Sequence, residues 1–249
     1  MRMHSQTIPV IMVMVVIACT PTRRNALYAQ EQTPTPTPEQ QQAAADENTP
    51  ADADADSVSD MDLLLPEHAK LLGSAESYTR KQVTPHLQDA DAEVKKAAQE
   101  MLALMEATRK AIPSRDELAG KWKVRSLQAN DLGAYAYPYF PCDLIAEGPK
   151  GLVLNKDKGS QRRVGLLIHD EATEDAEADE SLPPSLLFLG GSYYSDEPPR
   201  GYSALMGDPD TAMGTERDSV GFLYALSPTR LMLIFAPLNA RSEIYELIK

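Results

Sequence analysis

Between Lys121 and Ile248 the chain reads as eight short segments that alternate polar and apolar residues, with no helical pattern among them. A side-chain period of two is the signature of a β-strand with one face in a core. The segments are Lys121–Ser126, Cys142–Glu147, Leu152–Leu154, Arg162–Ile168, Ser185–Tyr194, Ser219–Leu226, Arg230–Phe235 and Ser242–Ile248. Turn residues separate them at Gly148-Pro149, Asp157-Lys158-Gly159, Pro198-Pro199 and Ser227-Pro228. Short strands at this spacing, without helices between them, make an antiparallel sheet that folds into a sandwich or closes into a small barrel. The barrel is the expectation taken forward: a mainly β, α+β chain with about eight strands in a calycin-like barrel.

Within that set, Arg162–Ile168 gives the sharpest expectation about faces. Val164, Leu166 and Ile168 form the more apolar set and are predicted to point into the core. Arg163, Leu167 and His169 are then predicted to point away from it. Arg162 belongs to the inward set by parity yet carries a charge. It is expected at the barrel rim against a carboxylate, a backbone carbonyl or the face of Trp122.

Upstream the composition changes. Residues 1–18 carry Arg2 and then an apolar run, Ile8 to Ala18, broken only by Pro9. That is too short for a membrane span of about 20 residues and suits the core of an export signal. It ends Val16-Ile17-Ala18-Cys19, which resembles the lipobox of bacterial lipoproteins and makes Cys19 the expected lipidation site. Thr20 after it implies outer-membrane sorting, with the protein facing the periplasm. The alternative is a soluble periplasmic protein cleaved after Ala29. Residues 19–62 hold Thr33-Pro34-Thr35-Pro36-Thr37-Pro38, Gln40-Gln41-Gln42 and Ala51-Asp52-Ala53-Asp54-Ala55-Asp56, with no apolar period. Such a segment cannot repay its ordering entropy and reads as a disordered acidic tether.

Residues 63–113 carry the helical pattern. Ala69, Leu72, Ala75, Thr79 and Val83 fall near helical spacing up to Pro85. Val94, Ala98, Met101, Met105, Thr108 and Ile112 make a second stripe that ends at Pro113. Ser114-Arg115-Asp116-Glu117 is a capping-box pattern at the start of residues 114–249, the barrel segment.

The net charge of −13, from 37 acidic and 24 basic residues, argues against a nucleic-acid partner. Much of it sits in the tether and in Asp170–Glu180. His4, His68, His86 and His169 are scattered, which predicts no metal site and no cofactor. Cys142 alternates with Asp143, alongside Leu144, and reads as a buried thiol rather than a nucleophile. No assembled catalytic set is expected. Tyr135, Tyr137, Tyr139, Tyr193, Tyr194 and Tyr202 sit in or beside loops, where tyrosines suit recognition. The expected partners are the membrane, through the lipid, and an envelope protein or a small apolar or anionic ligand. The expected role is a non-catalytic binding module. A periplasmic protease inhibitor is the alternative, with a hydrolase behind it.

Two resemblances bear on this. Gly120-Lys121-Trp122 after a short capped turn resembles the start of calycin barrels such as lipocalins. A broader pattern runs over about half the chain: Tyr139-Phe140-Pro141-Cys142, Gly159-Ser160-Gln161-Arg162, Phe188-Leu189-Gly190-Gly191, Pro198-Pro199 with Tyr202, Val220-Gly221, Arg230-Leu231 and Ser242 to Leu247. It resembles the bacterial envelope family catalogued as domain of unknown function 4893, whose most specific block here is Gly159, Ser160, Gln161 and Arg162. The resemblance implies an exported protein with a helical N-terminal piece, and no activity. In that pattern a Cys stands two residues after the aromatic of the first strand, where this chain has Val124. If that Cys pairs with the one matching Cys142, the bridge is absent here.

Overall fold

The structure is a computed structural model that describes residues 63–147, 151–169, 185–206, 215–238 and 241–249. Cys19, the tether, the acidic stretch Asp170–Glu180 and the turn Gly148-Pro149 lie outside the described residues.

The strands are β1 (Gly120–Asn130), β2 (Gly133–Ala136), β3 (Phe140–Glu147), β4 (Gly151–Lys156), β5 (Gln161–His169), β6 (Leu186–Tyr194), β7 (Asp218–Ser227), β8 (Arg230–Phe235) and β9 (Ser242–Ile248). From β3 to β9 each strand pairs antiparallel with the next in sequence. The long β1 joins the two ends. Its first half pairs with β3, and Lys123 to Ala129 pair with β9 from Ile248 to Ser242. The result is a closed eight-stranded barrel. Closure removes the unpaired edges that an open sheet would leave. The ninth strand, β2, pairs only with the tail of β1 and forms a flap outside the ring.

The helices are α1 (Pro66–Leu72), α2 (Ala75–Val83), α3 (Ala92–Glu106) and α4 (Arg115–Leu118). The first expected helix is split in two at Gly73 and Ser74. Asp91 caps α3 by accepting from the backbone N–H groups of Glu93 and Val94. That helix ends at Glu106, short of the expected Ile112. Ala107 turns extended, and the Lys110 N–H donates to Ala225 O at 2.8 Å. A sheet contact there replaces another helical turn. Ser114 and Glu117 do form the capping box.

Helices α1 to α3 lie against the outside of the barrel. Leu64 and Leu72 pack on Ile168, Leu187, Leu189 and Val220. Val83, Ala98, Met101 and Met105 pack on Leu127, Met232, Ile234 and Ile244. Those strands are therefore apolar on both faces, which blurs a period of two into a continuous run such as Leu231-Met232-Leu233-Ile234-Phe235.

That cover overturns the expected faces of β5. Arg163, Gly165 and Leu167 point into the barrel, and Val164, Leu166 and Ile168 point out. Leu166 and Ile168 are apolar because the segment leading into α1 sits over them. Gly165 faces inward to make room: a Cβ there would lie 2.5 Å from the Phe188 ring and from the Gly190 Cα. A one-residue shift exchanges every side chain between the two faces. The side chain of His169 is outside the described set.

Candidate functional site

The barrel interior changes character along its axis. One end is formed by the starts of β1, β4, β6 and β8 and the ends of β3, β5, β7 and β9. Here Trp122, Leu152, Leu167, Leu186, Leu231 and Leu247 fill the lumen. Leu118 of α4 plugs it, and the Trp122 indole N–H donates to Leu118 O at 2.7 Å. Lys249 Nζ sits 5.2 Å from the Trp122 ring centroid. Trp122 is thus a buried plug at the closed end, away from Arg162.

Toward the other end the inward residues become polar. Ser126 and Gln128 of β1, Lys156 of β4, Arg163 of β5 and Glu243 of β9 replace aliphatic side chains. Lys156, Arg163 and Glu243 are 4%, 5% and 4% exposed. Glu243 accepts from Ser126 Oγ at 2.7 Å, Gln128 Nε2 at 3.0 Å and Arg163 Nη2 at 3.0 Å. Burial alone would raise its pKa, but the Arg163 and Arg241 charges and these hydrogen bonds hold it below the ordinary carboxylate value. Lys156 donates to the carbonyls of Lys158 and Gln161, and burial lowers its pKa.

Arg163 lies against two aromatic faces, 3.9 Å from the Phe235 centroid and 4.8 Å from the Tyr245 centroid. The rings themselves meet edge-on, Phe188 to Phe235 at 5.7 Å and Phe235 to Tyr245 at 4.9 Å. They form a floor between the apolar and polar halves. Among the described residues, Nη2 of Arg163 alone is hydrogen-bonded; Nε and Nη1 are buried and find no acceptor there.

Two small cavities open above this floor. One, of about 30 Å³, lies between Arg163, Asp218, Ser219 and Glu243, with the Asp218 carboxylate accepting from the Ser203 N–H at 3.1 Å and Oγ at 2.5 Å. The other, of about 50 Å³, is bounded by Arg162, Arg217, Arg241 and Tyr194. Arg163, Ser192 and Arg241 line both. Such volumes hold a few waters or one small head group, not a lipocalin-sized ligand.

The residues singled out from sequence fall into three places. Gln161 and Arg162 reach the mouth, and Arg162 Nε donates to Gly159 O at 3.4 Å, so the rim position and a carbonyl partner are seen although the face is reversed. Gly159 forms the turn before β5 with φ +85°, and Ser160 is exposed beside it. Cys142 is a free, buried thiol whose pKa is pushed up to about 12 by burial and then by Asp143. Tyr202 is not a mouth residue. It is 1% exposed and its hydroxyl meets His68 Nδ1 at 2.8 Å and accepts from the Leu65 N–H at 2.9 Å, tying the segment around α1 to the barrel. Tyr139 donates to Glu246 at 2.7 Å on the outer face. Sequence reasoning did not find Arg163, Glu243, Lys156 or Arg241. The available signal was parity: Glu243 alternates with Ile244, and a helix-covered barrel allows the polar set to be the inward one.

The family model described as Domain of unknown function (DUF4893) matches residues 63–247, which takes in the helices, the barrel and the mouth. The chain belongs to this family. No curated protein and no solved structure matches it. The match covers α1 to α3 as well as the barrel, so the helical cover is part of the family's domain and not an appendage to it.

Proposed function

We propose that the chain is a lipid-anchored envelope protein whose barrel is a binding module without catalytic activity, with the polar mouth as its binding end. The observation that carries this is the asymmetry of the lumen. One end is packed with apolar side chains around Trp122, and the other holds buried Lys156, Arg163 and Glu243 beneath small cavities. Buried charge adds less to stability than apolar packing of the same volume, so its presence calls for a reason other than the fold. The Cys142 thiol is a poor nucleophile at a pKa of about 12. The anchor rests on Val16-Ile17-Ala18-Cys19 after the short apolar run.

Two measurements test this reading. Labelled palmitate should enter the wild type expressed in a Gram-negative host and not Cys19→Ser; equal labelling removes the anchor. A photo-crosslinking residue at Tyr194, on the mouth, should give a defined adduct in those cells, and one at exposed Lys123 should not. The same adducts at both positions, or none at either, remove the mouth as the binding end.

A further inference from the structure

Resting on the reading that the mouth is the binding end, we infer that it is a small-oxyanion site. A carboxylate or phosphate group enters between Arg241 and Ser192 and reaches Arg163 as its innermost donor.

Three observations converge on this. The first is charge. Three buried charges line the polar half of the lumen from its strands' inward faces, the cations Lys156 and Arg163 and the carboxylate Glu243; a second buried carboxylate, Asp218, borders the smaller cavity but accepts from the Ser203 N–H and Oγ and faces Arg200 at 4.0 Å. Glu243 is already engaged by Ser126, Gln128 and Arg163, with Arg241 Nη2 at 3.7 Å. With Asp218 set against Arg200, the inward cations Lys156 and Arg163 share the one carboxylate Glu243, and a buried ion short of opposite charge is disfavoured. An anion at this point restores the balance.

The second is unspent hydrogen bonding. Nε and Nη1 of Arg163 are buried with no acceptor among the described residues. A guanidinium carries five N–H donors and matches carboxylate and phosphate oxygens. Stacking on Phe235 and Tyr245 holds its plane in place, so the donors are set before anything arrives.

The third is the approach. The cavity of about 50 Å³ is bounded by Arg162, Arg217 and Arg241 as well as Arg163, in a chain whose net charge is −13. Arg217 is held over the Tyr194 ring at 4.5 Å and pairs with Glu197 at 3.3 Å. Arg162 is braced on Gly159 O. Among the described residues Arg241 makes one long ion pair, to Glu243 at 3.7 Å, and its side chain is 37% exposed. Arg241 is therefore the cation placed to meet an incoming group first. The joint volume of the two cavities takes a head group and excludes a bulky body, so the rest of the ligand stays outside, beside Tyr194.

The test uses the purified full chain. Thermal unfolding is followed while inorganic phosphate, sulfate or acetate replaces chloride at constant ionic strength. At least one oxyanion should raise the midpoint along a saturating curve that chloride does not give. Phosphate acting where acetate fails identifies a phosphorylated group, and the reverse a carboxylate. Arg241→Gln should weaken the apparent affinity at least about tenfold, as for one lost hydrogen bond to a charged group. Lys123→Gln, on the outside at the closed end, should leave it unchanged. Arg163→Lys should abolish it; if that variant does not fold, Arg241→Gln decides. No saturating effect of any oxyanion beyond chloride overturns the inference, as does equal affinity in Arg241→Gln and Lys123→Gln. A Tyr194 adduct in cells with no anion effect in the tube sinks the oxyanion alone and leaves the mouth as the binding end.

Discussion

The two halves of the barrel lumen are threaded by the same strands yet built on different principles. The lower half is aliphatic, with Trp122 and Leu118 closing it. Its stability is apolar area removed from water, which tolerates apolar side chains of similar volume. The upper half is ionic, and each member depends on its neighbours: Glu243 on Arg163, Arg163 on Phe235 and Tyr245. A packed layer loses volume when it is mutated, whereas an ionic layer strands a charge. The comparison teaches that the lower half holds the fold together and the upper half is where the fold spends stability on something else.

Four substitutions sharpen or break that contrast. Phe188→Ala, at the floor, should cost about 3–5 kcal/mol in a urea melt, the range for a fully buried ring and its cavity. A cost under about 1 kcal/mol would mean the floor is not packed. Glu243→Gln keeps the volume and removes the charge, and should cost about 3 kcal/mol because Arg163 and Lys156 lose their only opposite charge in the lumen. Its pH signature distinguishes it from Phe188→Ala. The Glu243 pKa is lower folded than unfolded, so its contribution is present above the unfolded carboxylate value and is lost as pH falls through the folded one. The gap between wild type and Glu243→Gln should therefore begin to narrow as pH falls below the ordinary carboxylate value, about pH 4, and close only below the lower folded value, while Phe188→Ala should stay parallel to wild type. Gly165→Ala should cost about 1–3 kcal/mol, since its Cβ would meet the Phe188 ring at 2.5 Å. Arg162→Ala should cost within about 0.5 kcal/mol, as for a rim side chain with one long hydrogen bond.

The Arg162 and Arg163 pair also marks how far the sequence was legible. Strand positions are readable because turns such as Asp157-Lys158-Gly159 and Ser227-Pro228 bracket them, and seven of the eight expected segments match observed strands to within two residues at both ends. The first expected segment, Lys121–Ser126, is the front half of β1, which runs on to Asn130. The flap strand β2 is four residues long with two of them exposed, and nothing in Gly133-Ala134-Tyr135-Ala136 alternates strongly. Closure of the ring was expected from the lack of helices between strands. The inward face was not legible. That choice assumes water outside a barrel, and Leu64, Leu72 and Met101 put an apolar layer there instead. The same assumption hid the site: Arg162 was selected because it shared parity with Leu166, when Arg163 was the charge inside. Tyr202 resembled a recognition tyrosine until His68 supplied its partner.

The β1–β9 seam has a kinetic consequence. From β3 onward every pairing joins strands that are neighbours in sequence, so hairpins can zip as soon as their residues are present. The seam is different: Ala129 meets Ser242 and Lys123 meets Ile248, across nearly the whole domain. Joining ends so far apart is slow because the loop entropy is lost before any contact forms. The ring can close only once β9 is available. Until then the chain is at most a ribbon of hairpins with two open edges. The last seven residues of sheet act as the latch that turns an open ribbon into a barrel.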